Sequence, residues 1–449
     1  MKQWKNKHVL VIGLGLQGGG VGVCRYLARH GAHVTVTDLK TSDALSKSII
    51  ALRLYPNITF VLGGHSQIDL AHIDYVVKGP SARWDNPIVQ DAHKAKIPVY
   101  METALFVKHT PAIVVGVTGT RGKSTTAMLL YKVLKDYYKK GNVYLSGNVP
   151  NTCALELLDE ASAQDVVVLE LSSWQLSGFH QEKISPPYAV FTNFYEDHLN
   201  YYKDMQEYIY DKTAIFAYQS TTDSLITLPS TLKILQDASF SIPSRILCCE
   251  VNDFSHPLLH LHGLHNKENA ALAAKTASLL LDDVSSSDIQ AHIASQSGMR
   301  FRQEIIAQKN KLIVVNDSTS TTPIACIKAI ETFKDKKLVL ILGGNSKRLP
   351  TSELIQVIRR YRKQMVLIVL LPGTMTEEIM PQIVQIPNLN VSTIHTHFND
   401  AVTQALNTAL NCQGPTCLLF SPGATSFAQF TNEFDRGDKF NSLVSAIMK

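Results

Sequence analysis

Three consecutive α/β domains are what this sequence predicts: a Rossmann-like domain at 1–108, a central P-loop domain at 109–298 and a second Rossmann-like domain at 299–449. Three observations carry that expectation. Apolar runs of strand length alternate with helical stretches along the whole chain. A glycine-rich turn, Gly13-Leu14-Gly15-Leu16-Gln17-Gly18, follows the first apolar run. A second one, Thr118-Gly119-Thr120-Arg121-Gly122-Lys123-Ser124, follows the run that ends at Val117.

In the first segment the strand-like runs are His8–Gly15, His33–Leu39, Ile58–Gly63, Tyr75–Val77 and Pro98–Glu102. Helical stretches such as Val21–Arg29 and Pro87–Ala95 lie between them. The glycine turn after the first run and Asp38 at the end of the second form a dinucleotide-type fingerprint. It places a pyrophosphate on a helix N-terminus and a carboxylate on a ribose hydroxyl. The fingerprint says that a nucleoside diphosphate fits here, and leaves open which one. A turn that merely packs helix on strand has the same spelling.

Lys108-His109-Thr110-Pro111 is a short polar link, and Pro111 disfavours helix just before it. The apolar run Ala112–Val117 then reads as a buried strand, and Ser124-Thr125-Thr126-Ala127-Met128-Leu129-Leu130 opens an amphipathic helix. Strand, glycine loop and helix start make a phosphate cradle, because glycines let backbone N–H groups turn inward and the helix end adds positive potential. Lys123 supplies a cation for the outer phosphates and Ser124 a hydroxyl for Mg²⁺. The strict loop spacing wants glycine at 117, where this chain has Val117, so the loop is a variant.

Further strands are expected near Val143–Leu145, Val166–Leu171, Ala189–Phe194 and Leu225–Leu228, with a helix around His265–Leu281. Glu170 ends the run Val166-Val167-Val168-Leu169, and strand ends line the ligand crevice of a parallel sheet. A carboxylate there suits Mg²⁺, which takes oxygen ligands. His198 follows the next strand end, beside the same crevice. Lys212, fourteen residues later, reads locally as a surface lysine of a helix.

The third segment repeats the alternation, with strands at Leu312–Asn316, Leu338–Leu342, Met365–Leu371, Val391–His395 and Cys417–Phe420. A net charge of +5 over 449 residues fits anionic small substrates and lacks the footprint of a nucleic-acid binder. No apolar run reaches membrane-spanning length, and the N-terminal residues lack the apolar core of a signal peptide. The seven cysteines are scattered without a CxxC pair, which points to free thiols in a reducing, cytoplasmic setting.

Taken together, these blocks resemble the Mur ligases, ATP-dependent amide-bond-forming enzymes. The resemblance runs through Thr118–Ser124, Glu170-Leu171-Ser172-Ser173, Asn193 with Asp197-His198-Leu199, and Gly263-Leu264-His265-Asn266-Lys267-Glu268-Asn269. It continues through Arg302, Asn316-Asp317-Ser318 and Leu342-Gly343-Gly344-Asn345-Ser346-Lys347. Within the family, two features resemble the member that adds glutamate, expected as the D isomer, to UDP-N-acetylmuramoyl-L-alanine in peptidoglycan precursor synthesis. They are the dinucleotide-type first domain and Ser421-Pro422-Gly423-Ala424-Thr425-Ser426-Phe427, followed by Asn432, Arg436 and Gly437.

The resemblance implies roles. Thr118, Gly119, Thr120, Arg121, Gly122, Lys123, Ser124 and Thr125 would hold the ATP phosphates, with Asn269, Arg302 and Asp317 facing the nucleotide. Ser124 and Glu170 would hold one Mg²⁺; His198 and a carbamylated Lys212 would hold a second. Lys123, Glu170, His198 and Lys212 are thus the expected catalytic group. Leu16, Gln17, Asp38 and Asn148 would meet the UDP-sugar, and Ser172 and Gln175 would also contact substrate. Thr321, Lys347 and Ser426 would meet glutamate. The expected state is a monomer that neither binds nucleic acid nor inserts into a membrane.

Departures touch the substrate pockets only. The family's Asp-Ser-Lys-Ala-Thr appears as Asp317-Ser318-Thr319-Ser320-Thr321; an expected aromatic is Glu433, with Phe434 one place later; and the first domain's Ser-Pro-Gly turn appears as Gly79-Pro80-Ser81. Another Mur-type ligase or a poly-γ-glutamate synthetase also fits these motifs. So does an NAD-dependent dehydrogenase using Gly13–Gly18, although it leaves the second glycine loop unexplained.

Overall fold

The computed structural model describes residues 2–198, 201–426 and 429–448; Leu199 and Phe427 of the motifs above lie outside them. Three sheets are present. The first holds β1 (His8–Ile12), β2 (His33–Asp38), β3 (Ile58–Leu62), β4 (Tyr75–Lys78) and β5 (Val99–Met101), all parallel, in the order β3-β2-β1-β4-β5. The strand order reverses beside β1, so the Gly13–Gly18 turn opens at a switch point, where a parallel sheet leaves a crevice.

The second sheet contains β6 (Ile113–Thr118), β7 (Val143–Gly147), β8 (Val166–Glu170), β9 (Tyr188–Phe191), β10 (Ser224–Thr227) and β11 (Arg245–Cys248). It is also parallel throughout, in the order β11-β10-β9-β6-β8-β7. The central strands are apolar end to end: all five residues of β8 are buried. That pattern suits a strand covered by helices on both faces. Strand β6 has β8 on one side and β9 on the other, so the loop after it emerges at this sheet's switch point.

The third sheet contains β12 (Glu304–Lys309), β13 (Leu312–Asn316), β14 (Lys337–Gly343), β15 (Met365–Leu371), β16 (Val391–Ile394) and β17 (Thr416–Phe420), in the order β12-β13-β17-β14-β15-β16. Only β12 runs antiparallel, paired to β13 through a tight turn at Asn310, φ 55°. The sequence reading started this sheet at Leu312 and missed β12. An edge strand with no fully buried residue, ending in Gln308-Lys309, carries little apolar signal. The half-exposed edge strand β11 was missed for the same reason.

The chain forms two compact units. One comprises Met1–Phe194, Gln206–Asp253 and Ala270–Ile293; the other comprises Tyr195–Met205, Phe254–Asn269 and Ala294–Lys449. The first two sheets share the former unit and the third sheet lies in the latter. Within the first unit the two sheets' helices interlock: Gly22 packs against Cys153, Arg25 pairs with Glu156 at 2.7 Å, and Trp84 Nε1 donates to Ser177 Oγ at 2.8 Å. All seven cysteines are free thiols. No helix among the described residues is long and apolar enough to cross a membrane.

Candidate functional site

The loop after β6 is held from below by its neighbour β9. Thr120 N donates to Asn193 O at 2.9 Å, Arg121 N donates to Asn193 Oδ1 at 2.8 Å, and Asn193 Nδ2 returns a bond to Arg121 O at 3.1 Å. Gly119 (φ 144°) lies so close to Thr192 Oγ1 that no side chain fits there, and Gly122 (φ 81°) is the left-handed residue before the helix Lys123–Tyr137. Those two backbone conformations are why glycine stands at these positions. Asn193 was not singled out from the sequence as a site residue. Its signal was its place just after β9, facing the glycine loop.

Lys123 Nζ donates to Gly119 O and Thr120 O, each at 3.0 Å. Ser124 and Thr125 follow in the first helical turn, and Thr118 is buried, its hydroxyl on Leu171 O at 2.8 Å. Glu170, 4% exposed, ends β8 in register with Val117. Its carboxylate accepts from Asn148 Nδ2 at 3.2 Å, and no ion pair to it occurs among the described residues. A buried carboxylate with one neutral donor keeps most of its acceptor capacity.

Lys212 corrects the local sequence reading. It is 1% exposed and belongs to the helix Met205–Thr213. Its Nζ donates to Gly119 O at 2.9 Å and lies 4.8 Å from the centre of the Tyr208 ring. Tyr208 in turn reaches Thr120 Oγ1 at 3.3 Å. The Gly119 carbonyl therefore receives two lysine side chains, Lys123 and Lys212.

In the first sheet, Asp38 is buried and both its oxygens accept backbone N–H groups, from Gly15 at 3.0 Å and from Lys40 at 2.9 Å. It shapes the glycine turn. Leu16 is 55% exposed, and Gln17 O accepts from Asn151 N at 2.8 Å, which ties the turn to the strand-β7 loop that carries Asn148. Ser172 and Gln175 form a capping box for the helix Ser173–Glu182: Gln175 N donates to Ser172 Oγ and Ser172 N to Gln175 Oε1.

The second unit holds the other expected residues: His198, Asn269, Arg302, Asp317, Thr321, Lys347 and Ser426. Asp317 is buried after β13, accepting from Ser421 Oγ at 2.7 Å and from Gln303 N at 3.1 Å. Ser426 Oγ is buried without a hydrogen-bond partner among the described residues. Asp197, quoted in the family match but given no role there, is 2% exposed and links two expected residues: it accepts from His198 N at 2.8 Å and lies 3.8 Å from Lys347 Nζ. Its signal was the Glu196-Asp197-His198 run. Among the described residues no three His, Cys, Asp or Glu side chains come together as a metal-ligand set.

Two of the departures, at Thr319 and Phe434, meet at Phe301. Thr319 donates to Phe301 O through both its N–H (3.1 Å) and its hydroxyl (2.7 Å), and the Phe434 ring meets Phe301 edge-on at 6.2 Å. Glu433 O accepts from Ser318 Oγ at 2.7 Å. Arg436, 1% exposed, spans Ser318 O at 2.6 Å and Ala424 O at 3.1 Å; burial pushes its guanidinium down to about 10 against the opposing pull of Glu433 and Asp317.

His265 sits beside Gln303, and burial, aided by Lys328, lowers its imidazole to about 4 while Glu331 opposes. The unfolded chain, with the ring near its usual 6.5, binds that proton first. Stability of the second unit is then expected to fall as pH drops from about 6.5 to about 4, by on the order of 3 kcal/mol. His265→Gln should narrow the gap between urea midpoints measured at about pH 7 and about pH 4.5. An unchanged gap would assign the acid lability to other groups.

Comparison with known proteins adds to this geometry. Residues 117–242 match the model described as Mur ligase middle domain, and residues 7–101 match Mur ligase MurD-like, N-terminal domain. The chain is 33% identical to a UDP-N-acetylmuramoylalanine–D-glutamate ligase of Roseiflexus sp. (strain RS-1), covering 99% of each chain. It is 32% identical to the protein of that name in Borreliella burgdorferi, covering 98% of each. The crystal structure of the UDP-N-acetylmuramate–alanine ligase of Thermotoga maritima shares its fold, with TM-score 0.60 at 16% identity over 98% of this chain and 99% of that one.

Proposed function

The chain belongs to the Mur ligase family, and on that premise we propose that it joins the carboxylate of UDP-N-acetylmuramoyl-L-alanine to the amine of D-glutamate at the expense of ATP, in peptidoglycan synthesis. The observation that carries the reading is the single turn Gly119–Ser124. It has Glu170 at the adjoining strand end and Lys123 and Lys212 on one carbonyl.

The substrate carboxylate attacks the γ-phosphorus of ATP, giving an acyl phosphate and releasing ADP. The glutamate amine then attacks the acyl carbon, phosphate leaves, and the amine gives up a proton. The first step brings two anions together, so its catalysis is mainly charge stabilisation. The Thr120 and Arg121 amides are taken by Asn193, so the helix start at Lys123–Thr125 and the Lys123 ammonium take the phosphate charge. Ser124 and Glu170 supply oxygen donors that fit a Mg²⁺ ion, and His198 with a carbamylated Lys212 would hold a second. When bound, such ions offset phosphate charge. Asn269, Arg302 and Asp317 would face the nucleotide; Thr321, Lys347 and Ser426 would take the glutamate carboxylates. Residues 1–108 would bind the UDP-sugar, with Leu16, Gln17, Asp38 and Asn148 near it. We assign ATP to 109–298 and glutamate to 299–449.

ADP release with UDP-N-acetylmuramoyl-alanine tests this reading. D-glutamate should support turnover, and L-glutamate or L-alanine should not. Turnover with another amino acid alone would transfer the chain to a different ligase specificity. The Gly13–Gly18 turn gives a separate expectation: titration should show heat of binding for the UDP compound and none for NAD or NADP. Tight NAD binding with no response to the UDP compound would overturn the assignment of the first domain.

A further inference from the structure

The third sheet carries an unexplained charge pattern. Residues 299–449 contain 17 Lys and Arg against 11 Asp and Glu, so this segment more than accounts for the chain's net charge of +5. The excess gathers at one edge of the sheet. In the strand register, Leu312 of β13, Lys337 of β14 and Thr416 of β17 are aligned, and Leu338 pairs with Met365 of β15. The N-terminal ends of these four strands therefore form one row, about 14 Å across at the usual strand spacing.

Cations cluster just before three of them. Lys309 and Lys311 bracket the β12–β13 turn. Lys334, Lys336 and Lys337 lead into β14. Arg359, Arg360, Arg362 and Lys363 lead into β15. All but the half-buried Lys336 are exposed, and Asp335 is the one acid interleaved among those leading into β14 and β15. None of these cations makes an ion pair among the described residues. Two of them, Arg359 and Arg360, close the last turn of the helix Ser352–Arg360, where a cation complements the helix dipole. That effect does not account for the Lys309-Asn310-Lys311 turn, which joins two strands.

Exposed aliphatic side chains accompany the charge. The helices between parallel strands return the chain to this same edge. Leu410, 42% exposed, ends the helix Phe398–Leu410 ahead of β17; Val384, 50% exposed, follows the helix Thr374–Ile383 ahead of β16. The opposite edge carries Asp317, the Gly343–Lys347 turn and Ser421–Ser426, so whatever docks on the basic edge leaves the expected glutamate side of this sheet open.

We propose that the N-terminal edge of the third sheet is a docking surface for an anionic lipid bilayer. Clustered lysines and arginines are drawn to acidic headgroups, and aliphatic side chains at the rim suit the boundary between headgroup and acyl chain. A nucleic acid is the less fitting polyanion. Single strands are held on aromatic stacking platforms, and the one aromatic side chain among the cations leading into β14 and β15, Tyr361, is partly buried.

Co-sedimentation of the full chain with vesicles tests the proposal. Vesicles of phosphatidylcholine containing phosphatidylglycerol should bind at least about tenfold more protein than phosphatidylcholine alone. That excess should disappear as salt rises from about 0.1 M to about 1 M. The reversal Arg359→Glu/Arg360→Glu/Arg362→Glu/Lys363→Glu should abolish it while ADP release stays at the parent rate. Lys309→Glu/Lys311→Glu, in a surface turn, should weaken it and serves if the fourfold variant fails to fold. Equal binding to both vesicle types overturns the proposal, as does undiminished binding by folded variants. Displacement of the protein from vesicles by a short oligonucleotide at equal phosphate concentration would overturn it in favour of nucleic acid.

Discussion

Lys123→Ala is expected to lower ligase turnover by about 10²–10³-fold while the thermal unfolding temperature stays close to that of the parent protein. The size follows from what the residue does: a single ammonium aimed at charge that builds up on phosphate in a site sheltered from bulk water. The unchanged stability follows from how the loop is held. Asn193 anchors Thr120 and Arg121 through three hydrogen bonds that do not involve Lys123. Gly119 and Gly122 keep their backbone angles by packing and chain geometry. The loss should appear in kcat more than in the KM for ATP, because the helix-start amides still bind the ground-state phosphates. ADP release and thermal unfolding on one preparation check both halves. Near-parent turnover would remove Lys123 from the mechanism; a collapse of the unfolding temperature would make it a structural residue instead.

How much of this site could be read from the sequence depended on how local each signal is. The phosphate loop was legible because its parts are consecutive: an apolar strand, two glycines, Lys-Ser and a helix. Glu170 was legible because it caps an unbroken apolar run. Lys212 was not, except through family resemblance. Its helix looks like any surface helix, and its burial arises from a carbonyl 93 residues away in the chain. Asp197 belongs to a legible motif yet carries no legible role, because its meaning lies in Lys347, which the third sheet brings to it.

The fold divides in the same way. Parallel strands buried on both faces declared themselves by composition, whereas β11 and β12, at sheet edges, did not. The passage from one unit to the other was illegible too. The helix Leu264–Ser278 runs as one regular element, yet its residues up to Asn269 pack with the third sheet's unit and the rest with the first unit. No periodicity in a helix records which neighbour covers which turn. Thr319 shows the reverse case, in which a departure from the family pattern gained a physical reason. Its short hydroxyl and its N–H both fasten Phe301 O, a contact within reach only because the 299–303 turn folds over β13.

Lys212→Ala is expected to abolish most turnover, by on the order of 10²-fold or more, and added acetate or formate should restore part of it. The ground is the double occupancy of Gly119 O, with Lys123 Nζ at 3.0 Å and Lys212 Nζ at 2.9 Å. Two ammonium groups on one buried carbonyl repel each other, and in a low-dielectric setting that repulsion is costly. Adding CO₂ to the Lys212 amine replaces one of those cations with an anion. The pair then attracts, and two oxygens become available as ligands for a hard cation. Truncation to alanine removes both the charge and the reach, and a small carboxylate entering the vacated space supplies the charge again. Lys212→Glu should keep a little activity, since it retains the charge on a shorter stem. Lys212→Met, which keeps the bulk and loses the charge, separates chemistry from packing: it should be as inactive as alanine yet unfold near the parent temperature. Isotope-labelled bicarbonate should give the parent protein a carbamate carbon resonance that is missing from Lys212→Met. A fully active Lys212→Ala, or identical spectra for the two proteins, would leave Lys212 an ordinary ammonium that props the loop from beneath.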